Sequence, residues 1–256
     1  MPELIWTETA RARAYECDFR GCWKPAAFLQ AMQEAAALHA ADLGVGYEQL
    51  QAREMAWVLS RVKIRFLDQA RLGETVVLRT WPRGVQQKLF FTREFEITAG
   101  DGRTLALATT GWVLIQPVRR RILASAVLSA DLPLQDVPAL DELLEKIAVP
   151  DGLPELGSFS AAYSAVDVMG HVNSARYLEW LADCFPFEEH QLRRLAWIQV
   201  NFANEVKPGE RVLISAGPQG APEDGTWLAQ GSILPAGTRA FDAAFAWSPL
   251  PAGKGT

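Results

Sequence analysis

Apolar and polar positions along the chain follow two rhythms, and each occurs twice. From Pro25 to Leu43 the run PAAFLQAMQEAAALHAADL is dense in helix formers, and Gly44 is placed to stop it. A shorter run, SARYLEWLADCF, sets Tyr177, Leu178, Leu181 and Phe185 at helical spacing, with Ser174 as the expected cap. Each helix is followed by alternating segments rich in β-branched and aromatic residues. These are VKIRF, TVVLRTW, LFFTREFEI and TLALATTGWVL in the first half, then IQVNF, RVLISA and RAFDAAFAW in the second. Gly and Pro punctuate them. The pattern predicts an α+β protein of two similar halves, each with a helix that buries its aliphatic face against an antiparallel sheet.

The two halves repeat in detail. One register sets Phe66 on Phe202, Gln69 on Glu205, Gly73 on Gly209 and Glu74 on Glu210. Pairing Trp57 with Trp197 then requires a shortening near the start of the second copy. A second block sets Asp18 on Asp167, Gly21 on Gly170, Cys22 on His171, Phe28 on Tyr177 and Leu29 on Leu178. A third sets Trp112 on Trp247. All three occur in the same order in both halves. The expected organisation is a first half over 1–131, a linker over 132–156 with a short helix at ALDELLEKI, and a second half over 157–256.

Composition narrows the function. In 256 residues, 49% are hydrophobic and 21% charged, the mix of an ordinary globular protein. No apolar run reaches the ~20 residues of a membrane helix. The N-terminal stretch lacks a signal-peptide core, so a cytoplasmic location is expected. A net charge of −5 disfavours nucleic acid as a partner. The three cysteines, Cys17, Cys22 and Cys184, and the three histidines, His39, His171 and His190, are too few and too scattered for a zinc site. No metal and no cofactor are expected.

The candidate chemistry lies in DVMGHVNSARYLEW, Asp167–Trp180. This segment resembles the D-x-N-x-H-V-N-N-x-x-Y motif of the acyl-acyl-carrier-protein (acyl-ACP) thioesterases, a branch of the hotdog superfamily. QEAAALHAADLG, WVLSR, TWPRG, REFEI and GWVLIQPVRRR resemble the same family, so the likeness runs from about Tyr15 to Pro249. It implies a tandem double hotdog in which only the second half is catalytic. It implies hydrolysis of fatty acyl-ACP to free acid and carrier, with Asp167, His171 and Glu205 as the catalytic set. It also implies an acyl tunnel in the first half, for which Phe28, Met32, Trp57 and Leu59 are candidates; ordinary core packing is the competing role for all four. Two positions depart from the family. Met169 stands where the family has Asn, and Val206 where it often has Cys, which argues against a thiolate nucleophile there.

The residue types suit a water mechanism. Thioester hydrolysis needs a base for water and donors for the developing oxyanion. Glu205 or His171 could serve as the base, and the backbone N–H groups of Val172 and Asn173, at a helix entry, as the donors. Singly, Asp167 reads as a cap, His171 as a structural histidine and Glu205 as a solvated acid. The repeat changes this weighing, because the first half has Cys22 and Gln69 in place of the polar pair. Two other enzyme readings stay open, an acyl-CoA thioesterase and a hotdog dehydratase. So does an acyl-binding module with a decayed site, for which Met169 is the best support. The run Arg119–Arg121 is an ordinary solvated turn or a contact for an acidic carrier protein. Two fused halves satisfy a hotdog pair within one chain and leave homodimerisation open.

Overall fold

A computed structural model describes residues 3–128, 132–220 and 225–250. The chain divides into two compact units, Met1–Leu144 and Glu145–Thr256. In unit 1 the elements are β1 (Trp6–Arg11), α1 (Pro25–Asp42), α2 (Tyr47–Gln51), β2 (Ala56–Phe66), β3 (Thr75–Gln86), β4 (Phe90–Ala99), β5 (Thr104–Gln116) and β6 (Arg121–Ile122). Its strands lie in the order β1-β3-β4-β5-β2, with β6 on β5. Unit 2 holds β7 (Glu155–Ser160), α3 (Ser174–Asp183), α4 (Phe187–Leu192), β8 (Arg193–Phe202), β9 (Arg211–Pro218), β10 (Thr226–Leu234) and β11 (Thr238–Pro249). Its order, β7-β9-β10-β11-β8, repeats that of unit 1. All of these pairings are antiparallel.

The repeat read from the sequence is a repeat of register. Phe66 lies opposite Ala106, and Phe202 opposite Phe241. At the far end Leu59 lies opposite Trp112, and Leu195 opposite Trp247. This bears out the Trp112–Trp247 match and corrects the Trp57–Trp197 one. Strands β2 and β8 are 11 and 10 residues long. No shortening is needed, and Trp197 simply arose at another position of the same strand.

Each helix is buried on its sheet. In α1, Phe28, Leu29, Met32 and Ala35 are buried, and in α3 Ala175, Tyr177, Leu178 and Leu181 are. Burying the larger of these side chains supplies roughly 1.5–3 kcal/mol each. Pro25 opens α1 at its first position, where a missing N–H costs nothing. Asn173, not Ser174, caps α3: its Oδ1 accepts the Ala175 N–H at 2.9 Å. Asn one position earlier does the capping, so Ser174 becomes the first helical residue.

The helices differ in length, 18 residues against 10. In unit 1 the extra turns of α1 lead to an aliphatic group of Ala40, Val45, Leu50, Met55, Leu114 and Leu128 around Phe91. In unit 2 aromatic rings gather just past the end of α3. Phe185 meets Trp227, Phe245 and Trp247 edge-on at 5.3, 5.8 and 5.2 Å between centroids.

The linker holds no helix among its described residues; ALDELLEKI is irregular throughout. Its backbone groups find partners outside the segment rather than four residues away. In unit 1, Trp81 Nε1 donates to the Val137 carbonyl at 2.8 Å, and the Ala139 N–H donates to Glu94 at 3.0 Å. Arg61 donates to the Leu144 carbonyl, and Glu142 pairs with Lys63 and Arg65. In unit 2, the Glu145 carbonyl accepts from Gln199 and Asn201. An extended strap satisfied in this way outcompetes a short helix flanked by prolines.

Candidate functional site

The two helix entries are built on one plan. In unit 2 the Asp167 N–H donates to the His171 carbonyl and the Gly170 N–H to the Asp167 carbonyl, each at 2.9 Å. In unit 1 Asp18 bonds Cys22, and Gly21 bonds Asp18, in the same way at 2.7 and 2.9 Å. Both turns need a left-handed residue, and Gly170 (φ 78°) and Gly21 (φ 70°) supply it.

The connection after β8 is tied to the entry of α3. The Val172 N–H donates to the Val206 carbonyl at 3.0 Å, and Val206 is fully buried. The buried Tyr177 phenol is hydrogen-bonded to the Val206 backbone, and burial raises its pKa far above the usual phenol value, so it remains a neutral hydroxyl. These ties bring Glu205 beside the imidazole: His171 Nε2 lies 3.2 Å from Glu205 Oε2, with side chains 34% and 44% exposed. At that exposure the pair adds little to stability, on the order of 0–1 kcal/mol, so its consequence is chemical. Nε2 is thus the ring nitrogen that faces the carboxylate.

Asp167 does not hold the imidazole. Its Oδ1 accepts the Met169 N–H at 2.9 Å, and its Oδ2 accepts from Asn173 Nδ2 at 3.3 Å. It fixes the turn and the capping amide. The structure also corrects the expected oxyanion donors. Both N–H groups are committed, Val172 to Val206 and Asn173 to the Ala165 carbonyl at 2.9 Å. The chain pairs with itself across this loop, so neither is open to a substrate. The Ser174 N–H, first in α3, has no partner among the described residues, as expected of the first turn of a helix. Met169 is 44% exposed, and Val168, its neighbour in the chain, is 97% exposed.

Unit 1 has the same construction without the imidazole and the carboxylate. Cys22 Sγ donates to Gln69 Oε1 at 3.4 Å. Asp18 is paired with Arg20 at 2.7 Å, and Arg20 occupies the position of Met169. Cys22 is buried, and desolvation holds its thiol above the usual range, against any role as a nucleophile.

Sequence reasoning missed the Tyr177–Val206 tie. The signal was available, since Phe28 at the matching position of unit 1 lacks the hydroxyl. The four candidate acyl contacts all lie in unit 1. Phe28, Met32 and Leu59 are buried, and Trp57 is half-buried, its Nε1 donating to the Val45 carbonyl at 3.0 Å. Phe28 stands edge-on to Trp23 and Phe66 at 5.1 and 5.3 Å. Among the described residues no three or more His, Cys, Asp or Glu converge as metal ligands, and no helix is long and apolar enough to cross a membrane.

Comparison with known proteins gives a consistent likeness. The model of the acyl-ACP thioesterase N-terminal domain matches residues 3–127, and that of the C-terminal domain matches 154–238. A chloroplastic acyl-acyl-carrier-protein hydrolase from Cuphea viscosissima, FATB3, is 23% identical over 208 residues, covering 76% of this chain and 50% of its own length. The chain thus spans about half the length of the curated relatives it matches. Among solved structures, an acyl-ACP thioesterase from Bacteroides thetaiotaomicron superposes with a TM-score of 0.85 at 24% identity, covering 95% of this chain and 98% of the other. The 12:0-ACP thioesterase from Umbellularia californica gives 0.81 at 21% identity, covering 98% and 96%. These superpositions identify the fold as the α+β double hotdog.

Proposed function

The chain belongs to the acyl-ACP thioesterase family of the hotdog superfamily, and from that premise we propose that it hydrolyses fatty acyl-ACP to free fatty acid and holo-carrier. The observation that carries the reading is the 3.2 Å contact of His171 Nε2 with Glu205 Oε2 at the entry of α3, where unit 1 has only Cys22 and Gln69.

In the proposed reaction Glu205 holds the imidazole so that Nδ1 takes a proton from water. The water oxygen bonds the thioester carbonyl carbon, and the C–S bond breaks as the tetrahedral intermediate collapses. The proton on Nδ1 goes to the departing thiolate. The Ser174 N–H is the candidate donor to the oxyanion, aided by the positive end of α3. Asp167 is a positioning residue, acting through the turn and Asn173. Phe28, Met32, Trp57 and Leu59 are the proposed acyl contacts, supported by the aliphatic interior of unit 1.

The test is thiol release by the purified protein from a panel of acyl-ACP, acyl-CoA and acyl-pantetheine thioesters. Turnover that His171→Ala or Glu205→Ala lowers by about 10²-fold or more is expected. Binding of acyl-ACP without turnover would instead establish an acyl-thioester-binding protein.

A further inference from the structure

One end of unit 1 gathers cations that pair with no carboxylate among the described residues. The antiparallel registers Ala56↔Ile115, Gln86↔Phe90 and Phe91↔Trp112 bring to this end the start of β2, the β3–β4 turn and the finish of β5. β5 runs on past the start of β4, and β6 fills that lane, with Ile122 opposite Ile115 and Arg121 opposite Gln116. The Ser125 hydroxyl donates to the Lys88 carbonyl at 3.1 Å and so ties the segment after β6 to the β3–β4 turn. Lys88, Arg119, Arg120 and Arg121 therefore share one end of the sheet. All four are exposed, and none makes an ion pair with a described residue. The nearby carboxylate Glu54 accepts from Gln116 instead. Val118, 88% exposed, and Ile122, 51% exposed, stand among the cations.

A second observation singles out the same end. The described non-glycine residues with positive φ are Glu54 (54°), Gln87 (52°), Lys88 (57°) and Arg120 (47°), and all four lie here. Left-handed backbone favours glycine. The chain nonetheless keeps long side chains in these turns, two of them cationic, and strained backbone of this sort clusters at functional surfaces. The end is basic in a chain whose net charge is −5.

We propose that this end, Lys88 with Arg119–Arg121 around Val118 and Ile122, is the docking surface for the acidic carrier protein that presents the acyl thioester. The inference rests on the thioesterase reading above. Opposite charge steers such encounters and sets orientation, while the apolar tips add contact area.

The decisive variant is Arg119→Glu/Arg120→Glu/Arg121→Glu, whose side chains are exposed. One acyl chain is offered on the carrier protein and on neutral pantetheine. At low ionic strength kcat/KM for the carrier-linked substrate is expected to fall about 10-fold or more, and less in about 0.5 M salt, with the pantetheine thioester unaffected. Equal effects on both substrates, or none on either, would overturn docking here while leaving hydrolysis standing. Should the wild type hydrolyse neither substrate, the thioesterase reading fails. Titration with holo-carrier protein then decides docking alone: binding lost in the variant supports it, and unchanged binding overturns it. Binding to phosphatidylglycerol vesicles that the variant loses, with carrier binding unchanged, would overturn it in favour of a membrane surface.

Discussion

The entries to α1 and α3 share their turns, their strand neighbours and most of their backbone hydrogen bonds, and four of the side chains that differ bear on the chemistry. Unit 2 has Met169, His171, Tyr177 and Glu205 where unit 1 has Arg20, Cys22, Phe28 and Gln69. In both units a side chain at the helix entry reaches one on the connection after the first long strand, at 3.2 Å in unit 2 and 3.4 Å in unit 1. The scaffold therefore fixes the geometry, and the side chains decide whether it has an ionisable pair to use. Unit 1 has also neutralised its own acid: Arg20 sits on Asp18, whereas Asp167 makes no ion pair among the described residues. The polar pair can be absent while the turn persists, because both units keep the turn's aspartate and glycine.

The asymmetry is tested hardest by paired substitutions. His171→Ala and Glu205→Ala should each lower kcat by about 10²–10⁴-fold with little change in Tm, since both side chains are partly solvated. Cys22→Ala and Gln69→Ala should change kcat by less than about 2-fold, the scale on which no proton transfer is lost. Glu205→Gln keeps an acceptor for the Nε2 proton and should retain more activity than Glu205→Ala. Thiol-release kinetics on all five read the contrast, and matched losses in the two units would end the claim that only unit 2 is catalytic.

Next in size is an effect on stability. Where unit 1 sets Ile97 opposite Ala106, unit 2 sets Gly231 opposite Phe241. The large side chain has moved from one strand to its neighbour, conserving volume across the pair. A Cβ on Gly231 would fall 2.2 Å from Phe241 Cε1 and 3.0 Å from Val212 Cγ1, and all of these atoms are in the core. Gly231→Ala should therefore destabilise the protein by about 1–3 kcal/mol, seen as a lower urea midpoint, and Phe241→Leu in the same chain should recover part of it. A neutral Gly231→Ala would show that the exchange of volume is not enforced.

How much of this was legible in sequence depended on range. The repeat was legible because turn glycines, strand alternation and helix faces are local, and they recur in the same order in both copies. His171 and Glu205 stood out because the copies disagree there. The commitment of the Val172 and Asn173 N–H groups was not legible: each is taken by a carbonyl whose approach depends on how two loops cross. ALDELLEKI failed for a similar reason. Its leucines and acids suit a helix, but Arg61, Lys63, Arg65 and Glu94 wait elsewhere in the chain to bind it extended. The Asn173 backbone N–H, expected as a donor to substrate, goes to the Ala165 carbonyl, and its side-chain amide has two further tasks, capping α3 and holding Asp167. Asn173→Ala should accordingly cost about 1 kcal/mol and lower kcat more than KM, because a looser turn misplaces His171. Loss of stability with unchanged kcat would confine the residue to capping.

A further contrast concerns pH. The extra turns of α1 carry His39, fully buried between the Glu3 carbonyl at 2.8 Å and Arg93 Nη1 at 3.0 Å. Burial, and then the Arg93 charge, hold its pKa below the usual value near 6.5. A base whose folded pKa is lowered binds fewer protons folded than unfolded just below pH 6.5, so stability falls as pH drops through that window. His39→Gln should flatten the fall of Tm between about pH 6.5 and 5; an unchanged slope would assign it to other groups.

The smallest expected effect separates function from fold at the basic end of unit 1. Arg120 is exposed, with φ 47°, and it makes no ion pair with a described residue. Glycine would relieve the left-handed backbone but raise the entropy of the unfolded chain, so Arg120→Gly should raise stability by at most about 1 kcal/mol. That is a gain of about 2–4 °C in Tm for a protein of this size. If the side chain is kept for a carrier protein, the same change should lower kcat/KM for carrier-linked substrate by a few-fold at low salt and leave a pantetheine thioester untouched. Unit 2 has no described non-glycine residue with positive φ, so no matching trade of stability against activity is expected there. A variant that is both more stable and fully active on carrier-linked substrate would mean that Arg120 is held in place by nothing the carrier requires.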